Sequence, residues 1–170
     1  MITIRKAVID TGPLLSALVI HYQRERGRRP LLESFLEDPL LTRDYQEQFL
    51  NLLASIREKL TTSHVIAEMQ GLERARLKLS GADRLNFWRA SIDLLTQWGL
   101  DEQLIRLLDI ASHSELKERL LDIGIVDTGL IELAAQNGCV LITQDERTLA
   151  ARARAEQIDC RLVKQLIPQA

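Results

Sequence analysis

Two short apolar runs, Ala7-Val8-Ile9 and Cys139-Val140-Leu141-Ile142, each give way within three residues to an aspartate, Asp10 and Asp145. An unbroken aliphatic run, with no apolar–polar alternation, is what a parallel strand covered on both faces requires. The first run passes into Asp10-Thr11-Gly12-Pro13, a strand entering a turn, and Pro13 suits the first turn of a helix over Leu14–Ile20. The second follows a helical stretch, Asp127–Asn137, with Leu130, Ile131, Leu133, Ala134 and Ala135 as its apolar positions and Asn137-Gly138 as its stop. Leu60-Thr61-Thr62 and Arg161-Leu162-Val163 read as further short strands. Strands separated by helices predict a three-layer α/β/α domain with a central parallel sheet and extra helices. The 170 residues suit one domain over 1–170, and with aromatics at 4% its core must be aliphatic.

The helical remainder is read from periodicity. His21–Pro30 is polar and basic, a loop or frayed helix end. Leu32–Asp38 predicts a helix that Pro39 breaks. Leu41, Tyr45, Phe49, Leu52, Leu53, Ile56 and Leu60 fall at three- and four-residue intervals and predict an amphipathic helix over Thr42–Lys59. The two together make a helical insertion at about 31–60. A helix over His64–Lys78, capped by Ser63 or Thr62 and ended by Ser80-Gly81, follows. Leu85–Trp98, stopped by Gly99, Glu115–Leu121 and Asp145–Gln157 complete the helices, and Leu104–Ile110 is apolar without a clear period.

Acids gather where such a fold places its chemistry. In an open parallel sheet, ligands bind outside the carboxyl ends of the strands. Asp10 and Asp145 close two strands. Asp127 opens the helix leading into the second of these strands, and Glu68 lies one turn into the helix after Leu60–Thr62. Taken singly, each acid has an ordinary structural reading: a strand end, a helix cap favoured by the dipole, a solvated helix residue. Taken together, carboxylates at one point disfavour one another's ionised state unless a cation is present. Oxygen donors without sulfur or imidazole suit Mg²⁺ or Mn²⁺. Asp122 lies close to Asp127, but Asp127 stands at the start of the Leu130–Ala135 helix.

Composition adds exclusions. The net charge of -2 neither demands nor excludes a nucleic-acid partner, because patches matter more than sums. Cys139, in an apolar run, predicts a buried thiol, and neither cysteine has zinc spacing or suggests a disulfide framework. The first eight residues lack the apolar core of a signal peptide, and no stretch reaches the ~18 apolar residues that would span a bilayer. The expectation is a cytoplasmic protein with no membrane association.

Four motifs then carry a resemblance. Val8-Ile9-Asp10-Thr11-Gly12-Pro13-Leu14-Leu15 looks like the opening motif of PIN-domain ribonucleases. His64-Val65-Ile66-Ala67-Glu68-Met69 resembles their central helix with its acid. Ile125-Val126-Asp127-Thr128-Gly129-Leu130-Ile131 resembles the third motif and Val140-Leu141-Ile142-Thr143-Gln144-Asp145 the fourth. They occur in the family's order and span most of the chain. The resemblance implies Mg²⁺- or Mn²⁺-dependent cleavage of RNA, with Asp10, Glu68, Asp127 and Asp145 as the metal-binding catalytic acids. It also implies that Thr11 and Thr143 are hydroxyls supporting the site. Many bacterial members are toxins of a toxin–antitoxin pair, so an antitoxin protein and a homodimer are the partners it implies beside RNA.

Arg147, just after Asp145, is near enough to orient a phosphate, whereas Arg152 and Arg154 read as surface. Arg24, Arg26, Arg28 and Arg29 are the densest basic run, an RNA contact or a solvated loop with equal claim. His21, His64 and His113 have no ligand spacing. Trp88 and Trp98 read as core or dimer packing. Glu146 reads as a first-turn acid serving the helix dipole. Two other classes compete with a nuclease. One is a non-catalytic PIN-like module binding RNA or protein. The other is a receiver-type phosphotransfer protein, with Lys164 as its late lysine.

Overall fold

Lys6–Ile9 forms β1, and its Ala7, Val8 and Ile9 are wholly buried, as a strand with aliphatic residues on both faces must be. The computed structural model describes residues 4–26, 42–106, 108 and 114–167. Among these, β1 is followed by α1 (Thr11–Arg26), α2 (Arg43–Ser55), β2 (Glu58–Thr62), α3 (Ser63–Leu72), α4 (Gly81–Gln97) and β3 (Leu100–Gln103). Then come α5 (Ser114–Asn137), β4 (Val140–Thr143), α6 (Leu149–Ala155), β5 (Cys160–Leu162) and α7 (Val163–Leu166). A π-helical turn, Glu73–Leu77, extends α3.

All neighbouring strands pair in parallel, in the order β3-β2-β1-β4-β5. Val8 sits between Leu60 on one side and Leu141 on the other. Helices cover both faces of the sheet, α1 packing with α2, α3 and α4, and α5 with α6, giving the three-layer α/β/α architecture expected from the sequence. The chain leaves β1 in one direction to reach β2 and returns across it to reach β4. The strand order therefore reverses between β1 and β4, where an open parallel sheet forms its crevice.

α1 has little amphipathic character, because it is enclosed. Leu14, Leu15, Ala17, Leu18, Val19, Ile20 and Tyr22 are all buried, and the helix packs on α2, α3, α4 and β4. Tyr22 and Phe87 of α4 meet edge to face with ring centroids 5.5 Å apart. The helix is thereby held near its far end, while its first residue, Thr11, follows Asp10.

Several boundaries differ from the sequence reading. The Leu14–Ile20 helix begins at Thr11 and runs on to Arg26, so His21–Arg26 is helical rather than loop. The helix expected over Thr42–Lys59 stops at Ser55, because Ile56 turns extended (φ −67°, ψ 124°) and Lys59 belongs to β2. The expected Leu32–Asp38 helix lies outside the described residues. The helix expected to run to Lys78 becomes π-helical at Glu73 and ends where Lys78 takes a left-handed conformation (φ 48°); Ser80 caps the next helix instead of closing this one. Leu100–Gln103 is a strand that the sequence reading missed: an edge strand with two exposed acids, Asp101 and Glu102, lacks the aliphatic signature. Glu115–Leu121 and Asp127–Asn137 fall, as read, in two helical segments of α5, which meet at Gly124, where the backbone is non-helical (φ 83°, ψ 175°). The Asp145–Gln157 helix narrows to Leu149–Ala155. Cys139 is half-buried; Cys160 is the buried thiol.

Lys59 explains how β2 and its flanking helices are locked. It is 3% exposed, and its ammonium donates to the carbonyls of Ala54 and Ile56 at the end of α2 and of Trp98 at the end of α4. Carbonyls at helix ends lack partners within their own helix, and the negative end of the dipole favours a cation there. One buried charge thus ties two helix ends to one strand. Lys59→Met, which keeps the stem and removes the donors, is expected to lower stability by about 2 kcal/mol. Urea denaturation monitored by circular dichroism checks this; an unchanged midpoint would show that the ammonium contributes nothing.

Candidate active site

A cleft of about 740 Å³ opens at the carboxyl ends of the strands, and Asp10, Glu68, Asp127 and Asp145 all line it. Each comes from a different element. Asp10 follows β1, held by a hydrogen bond from its N–H to the carbonyl of Ile142 in β4 (3.0 Å). Glu68 projects from α3, whose first turn is capped by the Thr62 side chain accepting from the Val65 N–H (3.3 Å). Asp127 stands three residues beyond the kink at Gly124. Asp145 follows β4. The sequence-predicted acids are therefore brought to one cleft, with Thr11 and Arg147 beside them. Asp122 is not brought there: it is exposed and pairs with Arg152 (3.2 Å).

The hydroxyls bind the acids together. Asp10 accepts from the Thr11 N–H with one carboxylate oxygen and from the Thr143 hydroxyl with the other (2.6 Å). Thr143 in turn accepts from the Asp145 N–H (2.9 Å), and the Thr11 hydroxyl donates to Glu68. Thr143 is wholly buried and Thr11 nearly so. Both hydroxyls hold carboxylates of the site, Thr143 from the wholly buried end of β4 and Thr11 from the wall of the cleft. Asp145 accepts from the N–H groups of Arg147 (3.0 Å), Thr148 (3.0 Å) and Leu149 (3.3 Å). Asp145 thus closes the turn that leads into α6, whose N-cap is Thr148, and this fixes the carboxylate at the cleft edge.

The electrostatics register the crowding. Burial raises the pKa of Asp10 from an ordinary 3.8 to about 6, against the lowering effect of its Thr143 and Thr11 hydrogen bonds; Glu68 and Asp145 add to the rise. Burial raises Asp127 to about 7, and the charges of Asp10, Asp145 and Glu68 push it further. Two acids are thus held near neutral pKa for want of positive charge.

Other cleft residues escaped the sequence reading as site candidates. Tyr45 of α2 was read only as part of an apolar face, and Arg76 in the π-helical turn had no motif. The turn is anchored by buried Glu73, which accepts from Arg84 (3.0 Å) and the Trp88 indole (3.4 Å). Glu146 and Lys164 line the cleft as an ion pair. Glu146, taken as a helix-dipole acid, pairs instead with Lys164 across to α7. A Cβ at Gly12 would stand 2.9 Å from the Gln144 amide oxygen, which accepts from Ser16, so the end of that side chain would have to shift. Arg147 is exposed and engages the acids only through its backbone N–H. Arg152, read as surface, is half-buried between Glu156 (2.7 Å) and Asp122.

The donor set of the four acids is all carboxylate oxygen, which fits a hard divalent cation and not zinc. As the side chains stand, no three His, Cys, Asp or Glu among the described residues form a ready metal-binding group. Glu68 is turned to Thr11 and Asp145 to its own backbone turn. No protein-family model matches the chain, and no curated protein sequence is significantly similar to it.

The raised acids give a signed pH dependence. Between an unfolded value near 3.8 and folded values of about 6 and 7, the native state holds more protons than the unfolded chain. The stability these groups contribute is present below pH 3.8 and is lost as pH rises through 6 and 7. In EDTA, the melting temperature is expected to fall by roughly 5 °C between pH 5 and pH 8, and Asp127→Asn to flatten much of that fall. Calorimetric scans across the range test it, and an equal fall in the variant would refute the coupling.

Proposed function

We propose that this chain is a PIN-type, metal-dependent ribonuclease that hydrolyses phosphodiester bonds of RNA. One observation carries the reading: four carboxylates from four separate elements line a single cleft at the point where the strand order reverses. The raised pKa values of Asp10 and Asp127 support it, since they mark a place where added positive charge is favourable. Mg²⁺ or Mn²⁺ held by Asp10, Glu68, Asp127 and Asp145 would supply that charge, polarising a water and neutralising the scissile phosphate. Thr143 and Thr11 orient Asp10 and Glu68 for that task. Arg147, with its guanidinium exposed at the cleft, supplies a phosphate contact. Among the described residues no histidine lines the cleft, and the carboxylates are the groups there that can take up the proton.

The strand order speaks against a receiver-type protein. That fold runs 2-1-3-4-5, whereas this sheet runs β3-β2-β1-β4-β5, and Lys164 pairs with Glu146. The antitoxin partner and the homodimer rest on the resemblance alone.

Asp10→Asn is nearly isosteric. It is expected to abolish Mn²⁺-dependent cleavage of a single-stranded RNA, at least 100-fold by analogy with the loss of one charge-stabilising group, with the fold retained. Wild-type and variant rates on the same RNA, with circular dichroism of both, decide the matter. Cleavage by the variant at the wild-type rate would sink the assignment.

A further inference from the structure

Tyr45 stands apart from its neighbours on α2. It shares a face with Phe49 and Leu53, which are wholly buried, but it also lines the cleft with the four acids. Its side chain is 8% exposed, and its hydroxyl makes no hydrogen bond to any described residue. A buried phenol normally has something to bond.

The burial decides which part of Tyr45 can reach a substrate. A ring this enclosed offers no free face, so stacking on a base is ruled out. The hydroxyl remains. The carboxylates that share the cleft accept hydrogen bonds when ionised, but a nucleic-acid phosphate needs donors. Resting on the ribonuclease reading above, we infer that Tyr45 is a substrate-positioning residue whose hydroxyl donates to a non-bridging phosphate oxygen of the bound RNA strand. Arg147 contacts the strand from the β4 side as a charge, whereas Tyr45 does so from α2 as a neutral donor. Because its ring is already packed, little rotamer freedom is lost on binding.

Tyr45→Phe removes only the hydroxyl. On a short single-stranded RNA with Mn²⁺, kcat/KM is expected to fall roughly 3- to 10-fold, the loss of one neutral hydrogen bond. The melting temperature and the calorimetric Mn²⁺ affinity stay at wild-type values. The salt dependence of RNA binding distinguishes the two contacts: Arg147→Ala reduces the slope by about one, and Tyr45→Phe leaves it unchanged. Equal kcat/KM for Tyr45→Phe and an active wild type overturns this inference alone. A wild type that neither binds nor cleaves RNA overturns the ribonuclease reading and this inference with it. If the loss disappears on RNA carrying single 2′-deoxy substitutions, the contact is to ribose and the phosphate assignment is refuted.

Discussion

The carboxylate of Asp10 is the fastening on which the rest of the site depends. Its backbone N–H bonds to Ile142 of β4, and its side chain takes a hydrogen bond from Thr143, one residue further on the same strand. The carboxylate therefore helps close the sheet at the one place where the strand order turns back. Thr143 also accepts from the Asp145 N–H, and Thr11, next to Asp10, donates to Glu68. Three of the four acids are positioned through one chain of hydroxyls. Small β-branched hydroxyl residues suit this because they pack as strand or first-turn residues while each offers one donor and two acceptor sites.

That arrangement is costly to the fold. Asp10 is almost fully buried, and holding it ionised at pH 8, against a pKa of about 6, costs on the order of 3 kcal/mol. Against a typical net stability of ~5–15 kcal/mol, a cost of that size persists only where the surroundings are strongly held. The enclosed α1 and the three carbonyls gathered by Lys59 supply that rigidity. A buried carboxylate held at such a cost at the edge of a cleft is a candidate functional group.

The sequence showed most clearly what periodicity and strand ends encode. Two aliphatic runs ending in acids implied a parallel sheet, and the sheet is parallel throughout the described strands. The four acids expected to converge do line one cleft. β3 was missed because Leu100-Asp101-Glu102-Gln103 is stabilised by pairing with β2, not by its own composition. The end of α2 was misplaced by four residues because Ile56 and Leu60 continue its apolar spacing into the next strand: both positions are buried either way, so burial alone could not mark the switch. Lys59 and Glu73 were illegible for the opposite reason. Charged residues read as solvated, and only the fold reveals the carbonyls and the guanidinium that make their burial tolerable.

The same reasoning changes the meaning of the helical insertion. From its period alone, α2 is a helix with one apolar face, and covering α1 would account for it fully. Phe49 and Leu53 do that. Tyr45, one turn earlier on the same stripe, falls where the stripe leaves the core and meets the cleft. There a leucine would pack as well but could donate nothing. Lys59 holds the far end of α2 through its carbonyls, so the helix cannot slide along α1 without breaking those bonds. A segment that looks like added packing is thus clamped at one end and lines the cleft at the other. The cleft is a property of α2 as well as of the elements that carry the acids, not of four motifs alone.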